Sequence, residues 1–239
     1  MMNGKGSSNW VLGVFILLGL AALGYLLGDA AIRYKEYERT VTVKGLSEKE
    51  FPADIVIWPI QFTEASNELA ALYDSLQTSS GKITQYLKSS GIDASEVSVS
   101  TPLITDRSAQ SWGDNAGVQF RYVATQTVTV YSTSVAKVQA AMSGLVELGK
   151  QGIVLSGDPY QNAVQYLFTR LNEVKPAMIE EATRQAREVA VKFAADSNSK
   201  LGKISQATQG QFTIEPRDTN NPHIKNVRVV STVEYYLSD

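Results

Sequence analysis

Hydrophobicity along this chain consists of one unbroken stretch followed by a patterned body. Trp10 to Leu27 carries no charged residue. A helix there is just long enough to cross a hydrocarbon core, for which about 20 apolar residues are typical. No second run of that kind follows, so the remainder reads as one soluble body delivered or tethered by its N-terminus. The pattern divides into a tail at 1–9, an anchor at 10–28, a charged connector at 29–38 and a body at 39–239. Trp10, Phe15, Leu18, Leu23 and Leu27 are the candidate membrane contacts. Two readings of the run stay open. Lys5 and the small residues around Gly28 and Ala30 fit a cleavable export signal, whose apolar core is usually about 7–15 residues. The greater length of this run fits an uncleaved anchor.

Beyond the connector the period becomes 2 and then 3.6. Arg39-Thr-Val-Thr-Val-Lys-Gly45 alternates as a strand ended by glycine. Ile55 to Phe62 is apolar on both faces and reads as a covered strand. Pro59 cannot donate to a ladder and places that strand at an edge or a bulge. Ser66 or Asn67 caps a helix with the stripe Leu69, Leu72, Leu76, Ile83 and Leu87, closed by Gly91. Val97 to Leu103 and Phe120 to Tyr131 alternate as strands around a Ser/Asp/Asn/Gly loop. A second helix spans 134–149, and a strand from Ile153 is interrupted or bulged near Gly157-Asp158-Pro159 before resuming over 164–169.

Pro176 suits the first turn of a third helix. Its expected buried stripe is Ile179, Ala182, Ala186, Val189, Ala190 and Phe193. Glu180 with Arg184, and Glu188 with Lys192, form outer pairs, and Gly202 ends the helix. Two strands, Ile204 to Ile214 and Val227 to Leu237, close the chain. The prediction is an α+β fold of duplicated strand–helix–strand–strand units, an antiparallel sheet covered by helices, preceded by one N-terminal transmembrane helix.

Composition narrows function mainly by exclusion. The net charge of −2 gives no basic footprint for nucleic acid. With no cysteine and one histidine, disulfides, thiolate sites and multi-histidine metal sites are absent. No Walker loop, dinucleotide fingerprint or Gly-x-Ser-x-Gly elbow occurs.

The body resembles the SIMPL-domain family, once catalogued as a domain of unknown function. The resemblance rests on Arg39 to Gly45, on Pro52-Ala-Asp54, and on Leu87-Lys-Ser-Ser-Gly-Ile-Asp93. It continues through Tyr122 to Val130, the alanine-rich 182–195 leading into Leu201-Gly-Lys-Ile204, and the closing Val227 to Leu237. It implies a bacterial envelope protein, usually exported. Some members form ring-like oligomers, bacterial members are linked to oxidative-stress defence, and an animal relative is a signalling adaptor. No catalytic set carries over. Pro59 and the long apolar segment depart from the family pattern. Arg33, Lys35 and Arg39 after the run would by charge alone keep the C-terminal side inside. The resemblance instead implies a single-pass inner-membrane protein with its domain in the periplasm or outside the cell.

Candidate chemistry is sparse. His223, in Asn220-Asn-Pro-His-Ile, would need an acid such as Asp218 and a nucleophile such as Ser231, and reads more simply as a loop histidine. Asp54, Asp106, Asp114, Asp158, Glu215 and Asp218 are scattered and lack calcium-loop spacing. The tyrosines read as strand packing. Trp112, in a polar loop, either folds back or contacts a partner, since Trp is enriched at binding hot spots. The expectation is a non-enzymatic scaffold or interaction protein without cofactor or metal. Its partners are the membrane, further copies of itself and an envelope protein, with no nucleic acid. The alternatives are a carboxylate-dependent hydrolase and a binder of small apolar ligands or lipids.

Overall fold

The computed structural model describes residues 6–36, 39–109, 119–157 and 162–238. Helix α1 spans Gly6–Glu36, so most of the expected connector is helical. Within it Trp10–Ile32 is long and apolar enough to cross a membrane, a test that an N-terminal signal sequence also passes. After α1 come β1 (Thr40–Pro52), β2 (Ile55–Ser66), α2 (Leu69–Ser89), β3 (Val97–Val99), β4 (Leu103–Asp106) and β5 (Tyr122–Ser132). Then follow α3 (Val135–Ser143), α4 (Val146–Lys150), β6 (Val154–Leu155), β7 (Gln165–Leu167), α5 (Leu171–Asp196), β8 (Lys200–Gln209), β9 (Thr213–Pro216) and β10 (Ile224–Ser238).

This is a mixture of helices and antiparallel sheet. Strand–helix–strand–strand order recurs, as β2–α2–β3/β4–β5 and as β7–α5–β8–β10. One sheet has the order β1-β10-β8, with β9 also on β10; the other has β3-β5-β2-β6, with β4 on β5 and β7 on β2. Contacts divide the chain into two compact units. One comprises Met1–Glu48, Val174–Thr213 and Arg228–Asp239; the other comprises Lys49–Glu173 and Ile214–Val227.

The second unit is built on β2. Val56, Trp58, Ile60 and Phe62 are buried on one face, against Leu72, Leu76, Ile83 and Leu87 of α2 and Val128 and Val130 of β5. Leu69, placed on the stripe by spacing, is 43% exposed in the first turn. The helix begins later than a Ser66 or Asn67 cap would place it, with Glu68 at the N-cap position. Ser66 Oγ accepts the Glu68 N–H, and Asn67 Oδ1 accepts the Arg121 N–H. Gly91 does close α2, at φ 82°. The expected helix over 134–149 is two helices, broken at Gly144. The Tyr86 hydroxyl donates to the Ala141 carbonyl at 2.6 Å and occupies the space a Cβ at Gly144 would need.

Pro59 lies neither at an outer edge nor at a bulge. β2 is central, and its register with β5 is unbroken from Val56↔Ser132 to Ser66↔Tyr122. On the other side β6 pairs with Phe62 and Thr63, and β7 with Ile55 to Ile57. Among the described residues neither strand reaches Pro59; the interruption expected near Gly157-Asp158-Pro159 falls on 158–161, which lie outside the described residues. The Ser156 N–H donates to the Gln61 carbonyl, so odd-numbered residues of β2 address that side. The missing N–H of Pro59 faces that side between the two ladders, and neither of them loses a bond to it.

In the first unit, α5 packs on β1 and β10, with Val43, Ala186, Ala190, Val233 and Tyr235 forming the core. Gly45 does not end β1. It lies inside the strand, where a Cβ would overlap the Ala182 carbonyl oxygen and come within 2.5 Å of Ala186 N. The helix starts at Leu171, ahead of Pro176. It ends through Asn198 at φ 52°, while Gly202 sits in β8. Its buried row is Met178, Ala182, Ala186, Ala190 and Ala194. The expected Val189 and Phe193 are 38% and 55% exposed. Only small side chains fit where backbone approaches backbone, and the larger ones turn outward. The two expected outer pairs give way to a single one, Arg184–Glu188 at 2.7 Å.

Candidate functional site

Three of the carboxylates singled out by sequence, Asp54, Asp106 and Asp218, are committed to local partners. The Asp54 carboxylate accepts the Thr169 N–H at 2.9 Å and the Thr169 hydroxyl at 3.0 Å, with Arg170 Nε 3.3 Å away. Burial works to raise its pKa. The Thr169 hydrogen bonds and the Arg170 charge outweigh that and hold it below the usual carboxylate range. Asp106 takes the Arg121 guanidinium at 2.9 Å and the Ser108 hydroxyl at 2.6 Å. These bonds, the Arg121 bond above all, hold its pKa far below normal. Asp218 accepts from Arg217, Asn220 and Asn221; the Arg217 and Asn221 bonds bring its pKa to about 2. Glu215 is exposed on β9, and Asp114 and Asp158 lie outside the described residues.

His223 contributes backbone and ring to the second unit. Its carbonyl accepts the Ala53 N–H at 2.8 Å, and its ring meets Tyr166 edge-on at 6.0 Å. Among the described residues no hydrogen bond joins that ring to an acid or hydroxyl. Neighbouring Phe51 and Phe168 stack at 5.2 Å, and Arg217 reaches Glu50 at 3.5 Å. Lys225 is buried, 8% exposed, and burial pulls its pKa down. Among the described residues no group of three His, Asp or Glu side chains is arranged to hold a metal.

Surfaces offer more than polar clusters do. β8 stands at the end of its sheet order, and all of its residues except Leu201 are exposed. Beside Pro59, a hollow of about 250 Å³ is lined by Trp58, Ile60, Gln61, Leu145, Leu155 and Asn162. Trp112 lies outside the described residues. The base of its loop, however, is tied by a feature that spacing did not reveal. Asn67 bonds Gln119 and Arg121, and Arg121 pairs with Asp106. On α1, Trp10, Phe15, Leu18, Leu23 and Leu27 are each more than half exposed, as a lipid-facing helix requires.

The family model for SIMPL, described as a protein of unknown function (DUF541), matches residues 41–233. The chain belongs to the SIMPL family. The match takes in both sheets and α2 to α5 and leaves out α1. Within this SIMPL domain the Pro52-Ala-Asp54 motif is a structural joint. Ala53 N–H donates to His223, Asp54 N–H donates to Leu167, and the Asp54 side chain grips Thr169. A search of curated proteins finds no match.

Proposed function

We propose that this SIMPL protein is held in the bacterial inner membrane by α1, with its body in the periplasm or outside the cell. The body acts as a self-associating scaffold or interaction module in tolerance of envelope and oxidative stress. The stress role rests on the family resemblance alone. The observation that carries self-association is β8, a ten-residue edge strand exposed along nearly its whole length. An unpaired row of N–H and C=O groups is a template for a further strand. Antiparallel pairing of two copies sets Lys200 and Lys203 against the uncharged Gln206 to Gln209, which avoids like charges in register.

A carboxylate-dependent hydrolase is the rival reading. A general acid works best with its pKa raised toward the working pH, whereas Asp54, Asp106 and Asp218 are all shifted down. An apolar-ligand binder would use the hollow beside Pro59, which opens at the surface with Gln61 and Asn162 already bonded across it at 2.8 Å. Light scattering on residues 31–239 over a range of concentrations tests the scaffold reading. A discrete multi-subunit species is expected; a monomer at every concentration would sink it.

A further inference from the structure

The end of the first unit that follows α1 is joined to that helix by a short step. Thr40 opens β1 four residues after Glu36 closes α1. An extended chain spans at most about 3.6 Å per residue, so that step covers no more than roughly 14 Å. The helix itself extends about 6 Å past Ile32, the last residue of the apolar window. If α1 spans the bilayer, the start of β1 therefore lies within about 20 Å of the hydrocarbon boundary, close to the headgroup layer.

Hydrogen bonds show what else is gathered at that end. Leu237 N–H donates to the Arg39 carbonyl at 2.8 Å, and Arg39 Nη2 donates to Ser199 Oγ at 3.1 Å. β8 starts there, with Ser238 paired to Lys200 and Leu237 to Leu201. The last turn of α5 leads directly into Ser199 and presents Phe193, 55% exposed, beside exposed Lys192. On the opposite face of the sheet, Tyr236 is 36% exposed. Among the described residues, the cations Arg39, Lys192, Lys200 and Lys203 stand at this end with the acid Asp196, in a chain that is net negative. Outward-turned aromatic side chains amid lysines, at the end of a short tether to a membrane helix, match the chemistry of a bilayer interface. There aromatic rings sit at headgroup level and cations meet anionic lipids.

We infer that this end of the SIMPL body rests on the bilayer, with Phe193 in the interfacial layer and Lys192, Lys200 and Lys203 against anionic headgroups. The inference depends on α1 being an uncleaved anchor. Because the chain has no cysteine, a single reporter can be placed cleanly. The full-length chain would be put in lipid nanodiscs, with and without phosphatidylglycerol. A nitroxide would be attached at Ala195→Cys in the last turn of α5, or at the exposed Ala177→Cys as a control about 27 Å back along the same helix.

The expected result is several-fold lower collision with a water-soluble nickel chelate at 195 than at 177. The difference should widen with phosphatidylglycerol and shrink in the exposed-site variants Phe193→Ser and Lys192→Ser/Lys203→Ser. Equal aqueous access at both positions, in chains that have entered the discs, overturns the inference and leaves the anchor standing. Shielding that ignores both variants, or that rises with copies per disc, overturns it in favour of a contact between copies. Failure of the chain to enter the discs removes the anchor and the inference together.

Discussion

At the scale of single residues, two glycines have opposite roles although both lie inside regular elements. Gly45 allows α5 to approach β1 at backbone distance, and an added Cβ would collide with main-chain atoms of Ala182 and Ala186. These cannot rotate aside. Gly45→Ala is expected to cost about 1–3 kcal/mol, the range for overpacking a core. Gly81 lies within α2 with nothing within 4 Å of its would-be Cβ, so Gly81→Ala should stabilise by up to about 1 kcal/mol through helix propensity. Urea midpoints of the two variants should move in opposite directions; a matching shift would contradict the packing described here.

Asp54 makes a second residue-scale prediction. Its folded pKa is depressed, so its stabilising contribution is complete above the unfolded carboxylate value, about 3.9. It is lost as pH falls through the folded value. With its side chain 17% exposed and hydrogen bonds made to the charged form, Asp54→Asn should cost about 1–2 kcal/mol at neutral pH. That deficit should narrow as acid is added. Thermal melts of both proteins from neutral pH down to strong acid measure it, and a deficit independent of pH would exclude this account.

At the scale of elements, Pro59 shows how a local prohibition shapes a sheet. It does not push β2 to the outside. On its other side, among the described residues, β6 and β7 pair with β2 on either side of a gap at Pro59. Since the nitrogen of residue 59 addresses that gap, Pro59→Val should leave stability within about 1 kcal/mol, while keeping the β2–β5 register. Hydrogen exchange would locate any loss. New protection at 59 with 156–164 rearranged would mean that proline actively maintains the interruption. The alanine row of α5 acts at this scale as well, because residues four apart share one face and small side chains there bring helix and strand together.

At the scale of the whole molecule, the proposed self-association makes the exposed outer side of β8 the place where a substitution would interrupt it without dismantling the sheet. Gly210 N–H donates to the Val230 carbonyl, so by alternation the N–H of Ala207 faces away from β10. Ala207→Pro should remove an outer donor and keep the β8–β10 pairs, as edge prolines do. The expected outcome is a lower mass by light scattering with the circular dichroism spectrum unchanged. An unaltered oligomer would move the interface elsewhere.

The elements that repeat a simple period were determined by sequence alone. The apolar α1, the stripe of α2, the alternation of β5 and β10 and the order of strands and helices all follow from local spacing, which sets which face is apolar. The SIMPL resemblance was legible for the same reason, as an ordered series of short motifs. Tertiary structure decided what depends on a neighbour distant in sequence. Gly45 looked like a strand terminus because the helix that crowds it lies more than a hundred residues away. Val189 and Phe193 fit a helical stripe equally well, and only the close approach of β1 selected alanines for the inside and turned the larger groups out. The carboxylates looked like free chemical groups until folding supplied Thr169, Arg121 and Arg217 as partners. Periodicity is a property of a segment, whereas packing distance and hydrogen-bond partnership are properties of pairs that only the folded chain brings together.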